Sequence, residues 1–181
     1  MRLRAATPDD ATAIADIYAR FVTASAVSFE TEPPGVETMR ARIEAGGALY
    51  PWIAGEAEDG TLLGYAYAAR FRDRPAYRFT VETSVYLRSG AAGRGLGRQL
   101  YEPLIATLEA QGFTQAIAAI TLPNPASARL HEKLGFERAG TYRQVGWKLG
   151  EWHDVGLWQR ALAPAAAPPA EPRPARFADF L

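Results

Sequence analysis

Gly93, Gly95 and Gly97 alternate with Arg94, Leu96 and Arg98 in a segment that follows a strand-like run over 79–87 and precedes a helical pattern. A strand, a turn of glycine and arginine and a helix N-terminus together make an anion cradle. Glycine lets backbone N–H groups approach phosphate oxygens, the helix dipole favours negative charge there, and arginine closes over it. The pattern predicts a diphosphate ligand, although a glycine-rich loop without a ligand fits so short a motif equally well. Two nucleotide readings fail on spacing. The dinucleotide fingerprint needs G-x-G-x-x-G and an acid about 20 residues on, whereas here the glycines alternate strictly and the next acids, Glu102 and Glu109, fall inside the helix. A P-loop needs Gly-Lys-Ser/Thr, which is absent.

Other residues could carry proton transfer or grip a substrate. Alternation along the run over 79–87 puts Phe79, Val81, Thr83, Val85 and Leu87 on one face and Thr80, Glu82, Ser84 and Tyr86 on the other. A carboxylate at Glu82, partly desolvated beside Val81 and Val85, has its pKa raised toward that of a useful base; a plain surface glutamate is the alternative. His131 has Ser127 one turn earlier and could hand on a proton, bond a substrate or simply hold structure. Arg72 and Arg74 suit bidentate binding of an oxyanion, or form a solvated turn with Asp73. His153 next to Asp154 is not a catalytic dyad, since strand neighbours point to opposite faces. The cluster of Trp147, Trp152 and Trp158 reads as core packing or a subunit interface. With no cysteine and two distant histidines, no metal site, disulfide or thiol nucleophile is expected.

The elements that must position these groups follow from pattern. Arg2–Ala5 reads as a strand, and Thr7-Pro8-Asp9-Asp10 as a helix start leading into the stripe Ile14, Ile17, Tyr18, Phe21, Val22. After Pro33-Pro34-Gly35 comes a short helix over 36–45, stopped by Gly46-Gly47, then strands over 51–57 and 62–70 around the turn Glu58-Asp59-Gly60. Leu100, Leu104 and Leu108 mark the helix behind the glycine loop, with Gly112 as its stop and Pro103 as an expected kink. A strand over 115–122, a helix capped by Asn124 and stopped at Gly135, and strands near 138–143 and 151–162 complete the pattern. Residues 1–162 form one domain; 163–181, rich in proline and alanine, are expected to be poorly ordered.

The 181 residues suit a single core, and 48% hydrophobic residues with a mean hydropathy of −0.16 are those of a soluble globular chain. Twenty basic against twenty acidic residues leave no electrostatic footprint for nucleic acid or an anionic membrane. No apolar run approaches the ~20 residues of a membrane span, and the first residues lack the apolar stretch of a signal peptide. A cytoplasmic location is expected.

The glycine loop resembles the pyrophosphate loop of the GNAT N-acetyltransferases, (Q/R)-x-x-G-x-(G/A), with Gly95 and Gly97 in place and Ala92 where Gln or Arg is usual. The segment from Asn124 to Phe136, NPASARLHEKLGF, resembles the block of that family that lines the pantetheine arm and thiol of coenzyme A, with His131 where many members carry tyrosine. Phe29-Glu30-Thr31-Glu32-Pro33, Tyr50-Pro51-Trp52, Arg74-Pro75-Ala76-Tyr77, Glu82–Tyr86 and Trp152–Gly156, among other strings in the same order, are similar to phosphinothricin N-acetyltransferases.

The resemblance implies an α+β fold, an α/β/α sandwich around a mixed, mostly antiparallel sheet of about seven strands with four main helices. It implies transfer of acetyl from acetyl-CoA to the α-amine of phosphinothricin or methionine sulfoximine or sulfone, with Glu82 as base and His131 meeting the departing thiolate. Val85, Tyr86, Leu87, Gly93, Arg94, Gly95, Leu96, Gly97, Arg98, Asn124 and Ser127 would bind the cofactor, with backbone N–H near Tyr86 and Leu87 as oxyanion donor. Phe29, Arg72, Arg74, Tyr77 and Ser84 would bind an amino-acid-like substrate, in a homodimer without metal, nucleic acid or membrane. Another small amine as acceptor, or a non-catalytic acyl-CoA-binding module, are the alternatives.

Overall fold

Seven strands form one mixed sheet in the order β1-β2-β3-β4-β5-β7-β6. The computed structural model describes residues 1–164, 170–175 and 177. Among them the chain runs β1 (Arg2–Ala5), α1 (Ala11–Thr23), α2 (Val36–Gly46), β2 (Trp52–Glu56), β3 (Leu62–Arg70), β4 (Thr80–Leu87), α3 (Leu96–Gln111), β5 (Gln115–Leu122), α4 (Pro125–Lys133), β6 (Glu137–Lys148) and β7 (Glu151–Ala161). Every neighbouring pair is antiparallel except β4–β5. The expected sandwich and strand count are those observed.

Alternation along the strands divides the core in two. Trp52, Ala54 and Tyr65 meet Ile14, Tyr18 and Met39 of α1 and α2 on one face. Ile53, Ala66 and Val81 meet Leu100, Leu104 and Leu108 of α3 on the other. Both layers are buried, and burying one such aliphatic side chain stabilises the fold by about 1.5–3 kcal/mol. The first helix starts as its sequence requires: Pro8–Asp10 form a 3-10 turn, and Asp10 Oδ2 accepts from the Thr7 N–H at 2.8 Å. α3 runs unbroken through Pro103, whose carbonyl accepts from the Thr107 hydroxyl at 2.8 Å.

Some described residues beyond Leu162 lie against the body, where composition alone predicted little order. Arg173 N–H donates to the Gln111 carbonyl at 2.8 Å, Arg78 Nη2 pairs with Glu171 at 2.8 Å, and Phe177 is buried in the α3-side core. One aromatic anchor, one backbone bond and one ion pair hold this stretch despite its prolines. Residues 165–169, 176 and 178–181 of the expected tail lie outside the described residues.

Candidate active site

The one parallel pairing in the sheet is short. β4 and β5 are in register only at Thr80 with Gln115, Val81 with Ala116 and Glu82 with Ile117. β5 continues beside β7 as far as Leu122 opposite Asp154. From Thr83 onward β4 and β5 therefore part, and the wedge between them leads to the glycine loop.

Beyond the wedge a cavity of about 510 Å3 lies between the end of β4, the loop, α3 and α4. Val85 and Leu87 border it from β4, and Gly93, Gly95, Leu96, Gly97 and Arg98 from the loop and the first turn of α3. Asn124 and Ser127 border it from α4, while Arg94 lies outside its lining. Gly95 is the N-cap of α3 with φ +76°, and Gly93 has φ +80°. A side chain at either position would be strained in this left-handed region, and it would project into space empty of protein within 4 Å. The loop thus keeps bare backbone toward the cavity at a helix N-terminus, the arrangement that holds phosphate oxygens. Arg20, Arg129 and Lys133 add cationic side chains around the same space. Arg98 also pairs with Glu102 at 2.7 Å on the surface.

The inner end of the wedge is a slot of about 50 Å3, bordered by Thr83, Ser84, Val85 and Tyr86 on one side and Ala118–Thr121 on the other, with Asn124, Ser127 and His131 at its end. It shares Val27, Val85, Asn124 and Ser127 with the larger cavity, so the two adjoin. The direction of the β4 amides follows from pairing. Arg88 N–H donates to the Leu63 carbonyl, which makes 63–88 and, two residues on, 65–86 the bonded pairs with β3. Tyr86 N–H is thereby turned to β3, while the N–H groups of Val85 and Leu87 face the wedge. The Leu87 carbonyl, on the same side, accepts from Arg20 Nη2 at 3.1 Å.

His131 is buried at the bottom of the slot. Its Nδ1 is 2.8 Å from the Ser127 carbonyl, which can only accept, so Nδ1 carries the proton. Nε2, 3.0 Å from the Tyr101 hydroxyl, is then an acceptor, and the Tyr101 hydroxyl also adjoins Thr83 Oγ1 at 2.7 Å. Burial lowers the pKa of His131, so the ring is neutral. It bonds neither Glu82 nor open space. Asn124 caps α4, its Oδ1 accepting from Ser127 N–H at 3.1 Å, and the same geometry presents it to both cavities.

Glu82 occupies the last paired position before the wedge, on the face of the sheet opposite α3. Burial raises its pKa from the ordinary carboxylate value, and the Arg72 charge opposes that rise only in part. Arg72, Arg74 and Tyr77 border a cavity of about 570 Å3 together with Arg70, Phe71 and Asp73. The loop is braced by aromatics, with Tyr77 edge-on to Phe71 at 5.6 Å and the Arg72 guanidinium 5.0 Å from the Phe71 ring centre. Ser84 borders the slot. Phe29 stands elsewhere: it packs against His153 at 6.2 Å and over Gly146, where any Cβ would overlap its ring. Val27, from the same loop, borders the slot and the larger cavity.

The histidine–aspartate neighbours point apart, as alternation requires: His153 Nε2 meets the Lys148 carbonyl at 2.9 Å, and Asp154 Oδ1 accepts from Gln144 N–H at 2.8 Å. The tryptophans divide, Trp158 in the core and Trp147 and Trp152 well exposed. A still larger cavity of about 860 Å3, bordered by Glu102, Lys133, Gly135 and Arg160, touches neither Glu82 nor the slot. Among the described residues no group of three or more His, Cys, Asp or Glu could hold a metal, and no helix is long and apolar enough to cross a membrane. Sequence reading passed over Arg20, Val27, Thr83, Tyr101, Arg129 and Lys133. Only Arg129 and Lys133 had a local signal, one helical turn apart on the α4 face that carries Ala126.

Comparison with known proteins accords with this geometry. Residues 3–157 match the family model described as an acetyltransferase (GNAT) domain. The chain is 43% identical over 176 residues to the phosphinothricin N-acetyltransferase of Streptomyces viridochromogenes, spanning 97% of this chain and 93% of that one. It is 37% identical over 171 residues to the L-methionine sulfoximine/L-methionine sulfone acetyltransferase of Salmonella typhimurium, spanning 94% and 99%. The solved phosphinothricin acetyltransferase of Sinorhizobium meliloti, in complex with acetyl-CoA, aligns with a TM-score of 0.88 at 38% identity and covers 99% of this chain and 97% of its own.

Proposed function

The chain belongs to the acetyltransferase (GNAT) family, and from that premise we propose that it transfers acetyl from acetyl-CoA to the α-amine of a free amino acid of the methionine sulfoximine, methionine sulfone or phosphinothricin type. One observation carries the reading: β4 leaves β5 directly after Glu82, so the wedge that leads from the phosphate-type cradle ends beside a desolvated carboxylate.

Acetyl-CoA supplies the activated acyl group and a thiolate leaving group. Gly93, Gly95 and Gly97 offer backbone N–H and the α3 dipole to its diphosphate, with Arg20, Arg98, Arg129 and Lys133 adding charge. Asn124 and Ser127 line the path of the pantetheine arm. The wedge-facing N–H groups of Val85 and Leu87 are the donors for a carbonyl oxygen that gains charge, a kind of contact whose loss costs about 100- to 1000-fold in rate. Glu82 takes the proton from the amine. Its raised pKa brings it nearer operating pH, where a positioned base contributes about 100- to 10,000-fold. Arg72 and Arg74 grip the substrate carboxylate, and Tyr77 and Ser84 border the acceptor.

We assign His131 a positioning role. Neutral and with both nitrogens satisfied, it fixes Tyr101 and the first turn of α4, and the Ser127 hydroxyl stands nearer the open path. The exposed side chains of Tyr142, Val145, Trp147, Leu149 and Trp152 on the β6–β7 hairpin support pairing with a second copy.

The test is thiol release from acetyl-CoA with L-phosphinothricin, L-methionine sulfoximine, L-methionine sulfone, ordinary amino acids and polyamines. Release with the first three above the rest supports the reading. Release only with polyamines or peptides would replace the acceptor.

A further inference from the structure

On the face of the sheet that carries Glu82, a cavity of about 450 Å3 opens between α2 and strands β2 and β3. The steps derived above make no use of it. Its floor is aromatic: Trp52 stacks on Tyr67 at 4.2 Å, with the rings inclined by 12°. Tyr18 and Met39 close it from the helices. Ala69 forms the near wall, directly opposite Glu82 in the β3–β4 register. The cavity therefore begins one strand spacing, about 5 Å, from the proposed base. Its volume is that of a small-molecule site.

Charge at the two ends differs. Arg70 stands at the mouth, shared with the cavity of Arg72 and Arg74. Arg42 bounds the α2 end, but its fork is taken: Nη1 and Nη2 donate to the two carboxylate oxygens of Glu30 at 2.8 and 3.1 Å. Tyr18 also donates to Glu30 Oε1 at 2.9 Å. The α2 end is thus polar and partly exposed, with the guanidinium of Arg42 already paired.

We propose that this cavity receives the side chain of the acceptor amino acid, and that it selects a neutral side chain with an apolar body over an anionic or a cationic one. The inference rests on the acceptor reading above. The α-carboxylate stays at the mouth among the guanidiniums, the amine at Glu82, and the side chain runs over Tyr67 and Trp52. An anion carried inward loses hydration over an aromatic floor, and Arg42, already bound bidentately, has no free fork to replace it. An ammonium group meets the Arg70 guanidinium at the mouth, and further in both Glu30 oxygens are already bonded. Between the substrates named for the relatives, the site therefore prefers the sulfone or sulfoximine to the anionic phosphinate.

The experiment compares kcat/KM for L-methionine sulfone and L-phosphinothricin in the full chain and two variants. The intact protein is expected to favour the sulfone by about tenfold or more. Glu30→Gln keeps an acceptor for Tyr18 and releases the charge of Arg42, so the ratio should shift toward phosphinothricin by about tenfold. Ala45→Phe, on the exposed rim of the cavity, fills it and should raise the sulfone KM about tenfold while leaving the acetyl-CoA KM unchanged; Ala45→Leu serves if the larger side chain lowers the melting temperature. A native preference for phosphinothricin, an unmoved ratio in Glu30→Gln, or an unmoved sulfone KM in the filled variant overturns the assignment. Failure of both amino acids to react, while another amine does, overturns the acceptor reading itself and is seen before any variant is made.

Discussion

The cradle around Gly95 and the acceptor side around Glu82 lie at two ends of one parted strand pair, yet they are built from different material. The cradle is contiguous in sequence and made largely of backbone: left-handed glycines, a helix N-terminus and a cap at Asn124. The acceptor side is made of side chains from distant segments, with Glu82 on β4, the arginines of the 70–78 loop, Trp52 and Tyr67 on neighbouring strands, and Glu30 with Arg42 between the helices. A backbone site binds a group common to a whole family. A side-chain site can change its acceptor by substitution while the cradle stays as it is. On the proposed function, binding of the acyl donor and choice of amine are therefore separable.

The largest effect expected from breaking that separation is at Glu82. Glu82→Gln should lower kcat by about 100- to 10,000-fold while calorimetry shows acetyl-CoA binding intact. Next is Gly95→Val. A β-branched residue at φ +76° strains the loop by about 1–3 kcal/mol, so the acetyl-CoA KM should rise roughly tenfold to a hundredfold with the amine KM unchanged. Arg72→Ala should raise the amino-acid KM about tenfold, as expected for loss of one charged hydrogen bond. It has a second signature: because the Arg72 charge lowers the Glu82 pKa, its removal lets that pKa rise, and activity needing the carboxylate should begin at higher pH. The smallest effect is at Tyr101→Phe. It leaves the buried Nε2 of His131 without a donor, costing about 1–3 kcal/mol of stability by denaturant unfolding, with kcat changed only a few-fold.

The same contrast explains what could be read from sequence. The cradle was legible because its signal is local: glycines at fixed spacing, then a helix with leucine period, then an asparagine before a proline. The strands and helices were legible for the same reason, and alternation alone placed Glu82 apart from Val81 and Thr83. The residue at which β4 parts from β5 is fixed by register, which no single segment carries. Phe29 was expected at the substrate, whereas Gly146, more than a hundred residues away, accommodates its ring against the β6–β7 hairpin. Tyr101 has its hydroxyl between Thr83 and His131 because three elements converge there, which no one segment shows. The cavity over Trp52 and Tyr67 left no local trace, since its walls come from α1, α2, β2 and β3. The segment that holds Glu171 and Phe177 had the composition of a loose tail, and only the contact surface on α3 gives Phe177 a place.

In the proposed function Glu82, held with a raised pKa at the inner end of the wedge, is the base that frees the amine to attack the thioester of acetyl-CoA. The pH profile of kcat/KM for L-methionine sulfone, measured for the intact protein and for Glu82→Gln, tests it most directly. Glu82 is active when deprotonated, so the rate should rise with pH through a limb displaced upward from the ordinary carboxylate value, and that limb should vanish in Glu82→Gln, leaving only the limb of the amine itself. A limb that survives unchanged in Glu82→Gln would contradict the claim.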